Sequence, residues 1–137
     1  MAMERTLVLL KPDAMQRGLA GQIISRIEQK NYRIHHAETM RLTEDLLRDH
    51  YAHIADNPFF PQLLAYMTSG LVMAMVIEGE NAVAGVRQLM GATRFEDFQA
   101  GTIRGDLASS TTENLIHGSD SPENAELEIH RFFGDWE

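Results

Sequence analysis

Cysteine is absent from the 137 residues, which excludes disulfides and any metal site built on thiolates. Long apolar runs are also missing. The longest, Leu71 to Ile77, falls far short of the roughly 20 residues a membrane-spanning helix needs. Near the N-terminus only Leu7 to Leu10 is continuously apolar before Lys11, too short for a secretory signal. A soluble cytoplasmic chain is therefore expected, with no membrane partner. Positive charge is scarce too: the formal net charge of −8 argues against a nucleic-acid binder that works by broad phosphate neutralisation. Neither glycine-rich phosphate cradle occurs, Gly-x-x-x-x-Gly-Lys-[Ser/Thr] or Gly-x-Gly-x-x-Gly. Any phosphate chemistry must then rest on a few converging side chains. Distant surface acids do not forbid it, because charges are screened over about 8 Å at physiological salt. Lys11, Arg87 and Arg104 are the candidate cations, each beside a glycine-bearing or turn-like segment.

What the chain does contain reads as one domain over residues 1–137, long enough to bury roughly two-thirds of its unfolded surface. Arg5 to Leu10 is a strand that delivers Lys11 to its end. Leu19, Ile23 and Ile27 line one face of a helix closing near Asn31. A second strand runs over Arg33 to Leu42. Thr43 then caps a helix with Glu44 and Asp45 in its first turn and Tyr51 on its inner face. After the break at Asp56-Asn57-Pro58, Phe60, Leu63, Leu64 and Met67 form a second short helix, so 43–67 is a helical hairpin. Leu71 to Ile77 has no polar residue and suits a strand covered on both faces. Asn81 is expected to cap a helix carrying Val83, Val86 and Met90, with Arg87 at its edge and Gly91 at its end. From Ala92 to Glu113 the periodicity dissolves into a loop, within which 101–106 reads as an ordered turn presenting Arg104.

The densest chemistry lies in Asn114-Leu115-Ile116-His117-Gly118-Ser119-Asp120-Ser121-Pro122. It has the form of a strand end holding Leu115 and Ile116, a turn and a helix start. Gly118 removes bulk beside the imidazole and tolerates unusual backbone angles. Ser121 can cap the next helix with Pro122 at its first position, where no amide donor is required. His117 would thus sit on a fixed turn between two packed elements, as a nucleophile must. The closing helix packs through Ala125, Ile129, Phe132 and Phe133, with Glu128 at the edge of that stripe and able to reach back to the turn.

This stretch resembles the active-site signature of the nucleoside diphosphate kinases, Asn-x-x-His-Gly-Ser-Asp-Ser, and matches it at every fixed position. Lys11-Pro12-Asp13 with Gln16-Arg17-Gly18, Asn57-Pro58-Phe59-Phe60, Asn81-Ala82-Val83, Gly91-Ala92-Thr93 and Gly101-Thr102-Ile103-Arg104-Gly105-Asp106 are similar to further blocks of that family, in its order. The resemblance implies an α/β (α+β) sandwich: a ferredoxin-like, four-stranded antiparallel sheet covered by helices, with the hairpin 43–67 inserted between strands two and three. It implies that His117 takes the terminal phosphate of a nucleoside triphosphate, becomes a phosphohistidine, and passes the group to a nucleoside diphosphate in a ping-pong cycle. Arg87, Arg104 and Thr93 would hold the phosphates, helped by Mg²⁺ arriving with the nucleotide rather than by protein metal ligands. Lys11 and Asn114 would contact the sugar hydroxyls, with Lys11 also near the transferred group. Tyr51 would lie beside the phosphohistidine, and Glu128 with Ser119 would orient the imidazole. Phe59 would stack on the base with Leu63 beneath it, although Leu63 reads equally well as core. Stacking accepts any base, as balancing nucleotide pools demands.

Relatives of this kind form dimers built into tetramers or hexamers, and a hexamer is expected here. Phe95 and Ala100 stand where many relatives carry prolines, and Thr111 where an apolar residue would face the base. Other readings make different demands. A non-catalytic nucleotide sensor on the same fold would require loss of His117 or its supports. A phosphocarrier without a nucleotide site leaves Phe59, Arg87 and Arg104 unexplained. A zinc site could be sought in His50 and His53, one turn apart, or in His35-His36, but no ligand-rich motif accompanies them; they read as surface or packed histidines.

Overall fold

Successive residues of a strand point to opposite faces of a sheet, and here both faces are covered. In the computed structural model, which describes residues 3–134, β1 (Met3–Leu10) lies in the sheet interior. It pairs antiparallel with β3 (Val72–Glu80) on one side and β4 (Ile116–Gly118) on the other. β2 (Arg33–Met40) adds antiparallel to β3, giving the order β2-β3-β1-β4. That is the expected ferredoxin-like arrangement. Val8, Leu10, Met75 and Ile77 face α2 (Ala20–Gln29) and α5 (Ala82–Met90) in one core. Leu7, Leu9, Ala74 and Val76 face the other core, which is shared by α3 (Glu44–His50), α4 (Phe60–Met67) and α7 (Pro122–Phe133). Fully burying such an aliphatic side chain contributes about 1.5–3 kcal/mol, so two-sided coverage explains why this stretch carries no polar residue. The hairpin of α3 and α4 sits between β2 and β3, as expected.

Several local expectations need correction. Pro12 does not merely end β1: it opens a short helix, α1 (Pro12–Gln16), as its fixed φ at a first helical position allows. The loop expected after Ala92 contains a 3₁₀ turn at Phe95–Asp97, and the ordered turn expected at 101–106 is α6 (Ile103–Leu107), whose cap is Thr102 accepting from the Gly105 amide at 2.9 Å. Asn81 precedes α5 but its side chain caps nothing, because its backbone is left-handed at φ 52°. The carboxylate of Glu4, distant in sequence, accepts from the Val83 amide instead, at 3.1 Å. Leu115 is not in β4. It sits at φ 77°, a region L side chains rarely adopt, and its buried side chain holds it there.

Gly118 is required for a reason other than backbone freedom. A Cβ there would meet the Met90 sulfur at 2.6 Å and Val86 at 3.2 Å, so the absent side chain lets β4 lie close on α5. His117 pairs opposite Leu9 and shares its face of the sheet, toward α3 and α7. The fold thereby points the imidazole at the side where Glu128 waits.

Candidate active site

The turn that carries His117 is fixed at both ends. Ser121 accepts from the Asn124 amide at 3.1 Å and starts α7, with Pro122 at the first position. On the strand side the Leu7 amide donates to Ser119 Oγ at 3.2 Å, and the Ser119 hydroxyl donates to Glu128 Oε1 at 2.7 Å. The same Oε1 lies 2.9 Å from His117 Nε2. Ser119 thus acts through Glu128 rather than by touching the ring. Burial alone would push the Glu128 carboxyl up, but the His117 and Ser119 hydrogen bonds and the neighbouring imidazoles outweigh it and hold it below the usual carboxylate range. An ionised Glu128 accepts a proton-bearing Nε2, which leaves Nδ1 of His117 with its lone pair.

A cavity of about 420 Å³ opens over this group, bordered by His50, Tyr51, Arg87, His117, Glu128 and Arg131. Arg87 is exposed there and donates to the Gly118 carbonyl at 3.1 Å, which anchors its guanidinium one residue from the imidazole. Arg104 differs sharply from what a phosphate-binding arginine leads one to expect. It is buried, and its guanidinium donates to the carbonyls of Asn114, Gly91, Ala92 and Ile116. Burial, then the charge of Arg87, brings its pKa down to about 10, so it stays protonated at neutral pH. One N–H of its five donors remains outside those carbonyl bonds.

A second cavity of about 290 Å³ is bordered by Lys11, Tyr51, Phe59, Leu63, Thr93 and Asn114, and also by Thr111. Tyr51 therefore borders both spaces, and burial, aided by the charge of Glu128, pushes its phenol up to about 12. Lys11 is buried at the end of β1 and donates to Asn114 Oδ1 at 2.7 Å. Burial, with the charge of Arg104, pulls its ammonium down to about 7; Asp13 opposes this. Asn114 in turn donates to the Thr111 carbonyl at 2.8 Å. The adjacent phenylalanines split as helical spacing anticipates: Phe60 is 2% exposed and Phe59 51%. Leu63 borders the cavity and also packs on the core. Thr111 acquires a part of its own, since its hydroxyl oxygen accepts from the Phe95 amide at 2.9 Å and pins the loop.

Two groups escaped sequence reasoning. Asp13 is buried and accepts from the Tyr66 hydroxyl, while its second oxygen has no partner. His50 is 7% exposed, with its ring edge-on to His117 at 4.9 Å and to Tyr51 at 4.7 Å. Its place beside Tyr51 on an inward helix end was the available signal. The histidine whose ring His50 meets is His117. With Glu128 they offer three potential ligand atoms within 4.8 Å of one another. Arg131, however, sets a guanidinium N–H 3.2 Å from His50 Nδ1, where a metal-bound imidazole normally donates to an acceptor. The donor set does not suit a resident cation. Among the described residues no helix is long and apolar enough to cross a membrane.

The profile of the family described as nucleoside diphosphate kinase matches residues 4–137. A nucleoside diphosphate kinase of Symbiobacterium thermophilum is 49% identical over 135 residues, covering 98% of this chain and 90% of that one. One from Moorella thermoacetica is 50% identical over 133 residues, covering 97% and 96%. Among solved structures, a halophilic nucleoside diphosphate kinase from Halobacterium salinarum in complex with CDP superposes with a TM-score of 0.93 at 47% identity, covering 99% of this chain and 94% of that one. The apo enzyme from Encephalitozoon cuniculi superposes with a TM-score of 0.93 at 43% identity, covering 96% and 90%.

Proposed function

This chain belongs to the nucleoside diphosphate kinase family, and from that premise we propose how its own side chains move a phosphoryl group from a nucleoside triphosphate to a nucleoside diphosphate. His117 Nδ1 attacks the terminal phosphorus. The N–P bond forms as the bond from phosphorus to the bridging oxygen breaks, and the diphosphate leaves with that electron pair. A second diphosphate enters the same cavity and reverses the step, collecting the group. The observation that carries this reading is the Ser119–Glu128–His117 chain of hydrogen bonds, which fixes ring orientation and tautomer beside an open cavity.

The cations divide the remaining work. Arg87, exposed and anchored on Gly118, meets the phosphates directly. Arg104 contributes its positive field and holds the carbonyls of Gly91 and Asn114, which keeps Thr93 and Asn114 at the second cavity. Lys11 and Asn114, already bonded to each other, turn toward the sugar hydroxyls. An arriving phosphate restores the Lys11 ammonium, because a nearby negative charge favours the protonated form. Tyr51 stands between nucleotide and phosphohistidine. Phe59 stacks on the base without reading its edge, which gives broad base and sugar tolerance.

Family members generally work on magnesium–nucleotide complexes, and this site fits that habit. The acids around the larger cavity are engaged: Asp49 with Arg131, Asp120 with Asn124 and Glu128 with His117. Mg²⁺ would then take its oxygens mainly from the phosphates it arrives with, as its preference for substrate oxygens and water allows. We further propose a single domain over 1–137, a cytoplasmic setting and a homo-oligomer, with a hexamer ahead of a tetramer. β2 lies at one end of the sheet order, an edge that natural proteins cover or pair.

The test is labelling. Incubated with γ-labelled ATP, the protein should form an acid-labile, base-stable phosphoprotein that GDP discharges, and His117→Ala should take no label. Wild-type protein that folds, binds ATP and takes no label would leave the non-catalytic sensor standing. Label that GDP cannot discharge would favour a phosphocarrier.

A further inference from the structure

His50 plays no part in the phosphoryl transfer described above, yet its ring packs directly against that of His117. It closes α3, and its ring meets His117, Tyr51 and Phe132 edge-on at 4.9, 4.7 and 5.2 Å. The charged and titratable groups that face it come from several elements. Glu128 and Arg131 belong to α7, His117 to β4 and Lys11 to the end of β1, while Asp49 and Tyr51 are its chain neighbours. Two imidazoles therefore stand next to one carboxylate. The 2.9 Å bond to Glu128 is made by His117.

Arg131 separates the two rings chemically. Its Nη1 lies 3.2 Å from His50 Nδ1, and its Nε donates to Asp49 Oδ2 at 3.0 Å, which ties the guanidinium in place. A guanidinium has donors only. His50 Nδ1 must accept, so the proton of a neutral His50 ring is on Nε2. One ring nitrogen of His50 lies within 4.8 Å of ligand atoms of both His117 and Glu128, and with Nδ1 accepting from Arg131 the only donor the neutral ring has left to offer is Nε2–H.

We propose that Arg131 and His50 form a positioning pair for the nucleophile: Arg131 fixes His50 as the Nε2–H tautomer, so that His50 presents a donor, never a lone pair, toward the His117–Glu128 pair. A lone pair there would compete with Glu128 for the His117 Nε2 proton and let the imidazole turn. A donor instead adds a positive edge near the carboxylate, keeps Glu128 the sole acceptor for His117, and leaves His117 Nδ1 free for phosphorus. Burial supports the arrangement by keeping His50 neutral, with its pKa brought down to about 3. The inference rests on His117 being the nucleophile, as proposed above. It adds His50 on α3, and Arg131 on the same helix as Glu128, to the residues that aim the ring.

The experiment reads tautomers and rates separately. Long-range ¹H–¹⁵N correlation spectra of the free protein report which nitrogen of each imidazole carries its proton. Wild type should show Nε2–H for both His50 and His117. Arg131→Leu should shift His50 toward Nδ1–H and slow single-turnover phosphorylation of His117 by ATP about tenfold or more, the scale of a misaligned attack, without changing the half-saturating ATP concentration. Arg131→Lys, which still donates, should recover most of the rate. His50→Phe, which keeps a ring but removes the N–H and its positive edge without adding a lone pair, should show a smaller loss of rate in the same direction and gives an answer even if Arg131→Leu fails to fold. A wild-type His50 protonated on Nδ1, or a His50→Phe enzyme phosphorylated at the wild-type rate, would overturn the proposal. Failure of wild type to take any label counts against the phosphotransfer reading instead, and the tautomer spectra distinguish the two.

Discussion

His117 Nε2 and Glu128 Oε1 are 2.9 Å apart although they belong to different elements, one in β4 and the other on the second turn of α7. The short turn through Ser119 brings them together, and the Ser119 hydroxyl closes the arrangement on the same oxygen. An imidazole held this way can neither spin nor change tautomer freely, and rate should follow from that restraint.

Replacing Glu128 with glutamine keeps an oxygen and a similar shape but removes the charge. Phosphorylation of His117 should slow by about ten- to a hundredfold, with the half-saturating ATP concentration nearly unchanged, because the loss is in orientation rather than binding. Rapid-quench measurement of the phosphoenzyme at several ATP concentrations checks both. Ser119→Ala should give a smaller loss in the same direction, since it reaches the imidazole only through the carboxylate.

The two arginines should part company in stability. Arg87→Ala removes an exposed side chain and should cost less than about 1 kcal/mol, while raising the nucleotide concentration needed for activity. Arg104→Ala strips the donors from the carbonyls of Asn114, Gly91, Ala92 and Ile116. With unsatisfied buried polar groups costing about 1–3 kcal/mol each, the total should exceed 2 kcal/mol. Urea denaturation of the two variants beside wild type decides it.

Phe59 and Phe60 should behave as opposites despite adjacency. Phe60→Ala empties a fully buried site and should cost about 3–5 kcal/mol. Phe59→Ala should leave stability within about 0.5 kcal/mol and weaken nucleotides of every base alike, because stacking reads a π face and not an edge. Thermal melts and steady-state kinetics with purine and pyrimidine diphosphates measure both arms.

Acid should destabilise the fold through His50. Burial, and then the charge of His117, depresses its folded pKa from 6.5 to about 3. Between those values the unfolded chain binds a proton that the folded one refuses. The stability from this group is therefore complete above about pH 6.5 and is lost as pH falls toward 3. The loss reaches at most about 1.4 kcal/mol per pH unit. His50→Phe should show a shallower acid limb in urea melts collected across that range. An acid limb as steep as wild type would place the titration elsewhere.

Much of this was legible in the residues because it is local. The continuous apolar runs of β1 and β3, the 3.6-residue stripe of α7, the Ser121–Pro122 start and the split between Phe59 and Phe60 each depend on neighbours within one element. The signature around His117 marked it as the candidate nucleophile, and the roles proposed for Ser119 and Glu128 came with it. The loop after Ala92 was harder: α6 is a single short helix with a weak stripe, held by Thr102 and by the burial of Ile103 and Arg104.

By itself, then, the order of residues determined the strands, the helical hairpin, and which side chains could take part in phosphoryl transfer. Only tertiary structure decided that Arg104 is buried among backbone carbonyls, that Glu4 rather than Asn81 caps α5, and that Arg131 and His50 stand behind His117. The reason is physical. Periodicity and capping act between residues a few positions apart, whereas burial and a hydrogen bond such as Arg131 to His50 join groups that are distant in the chain and meet only once the sheet and its helices have closed around them.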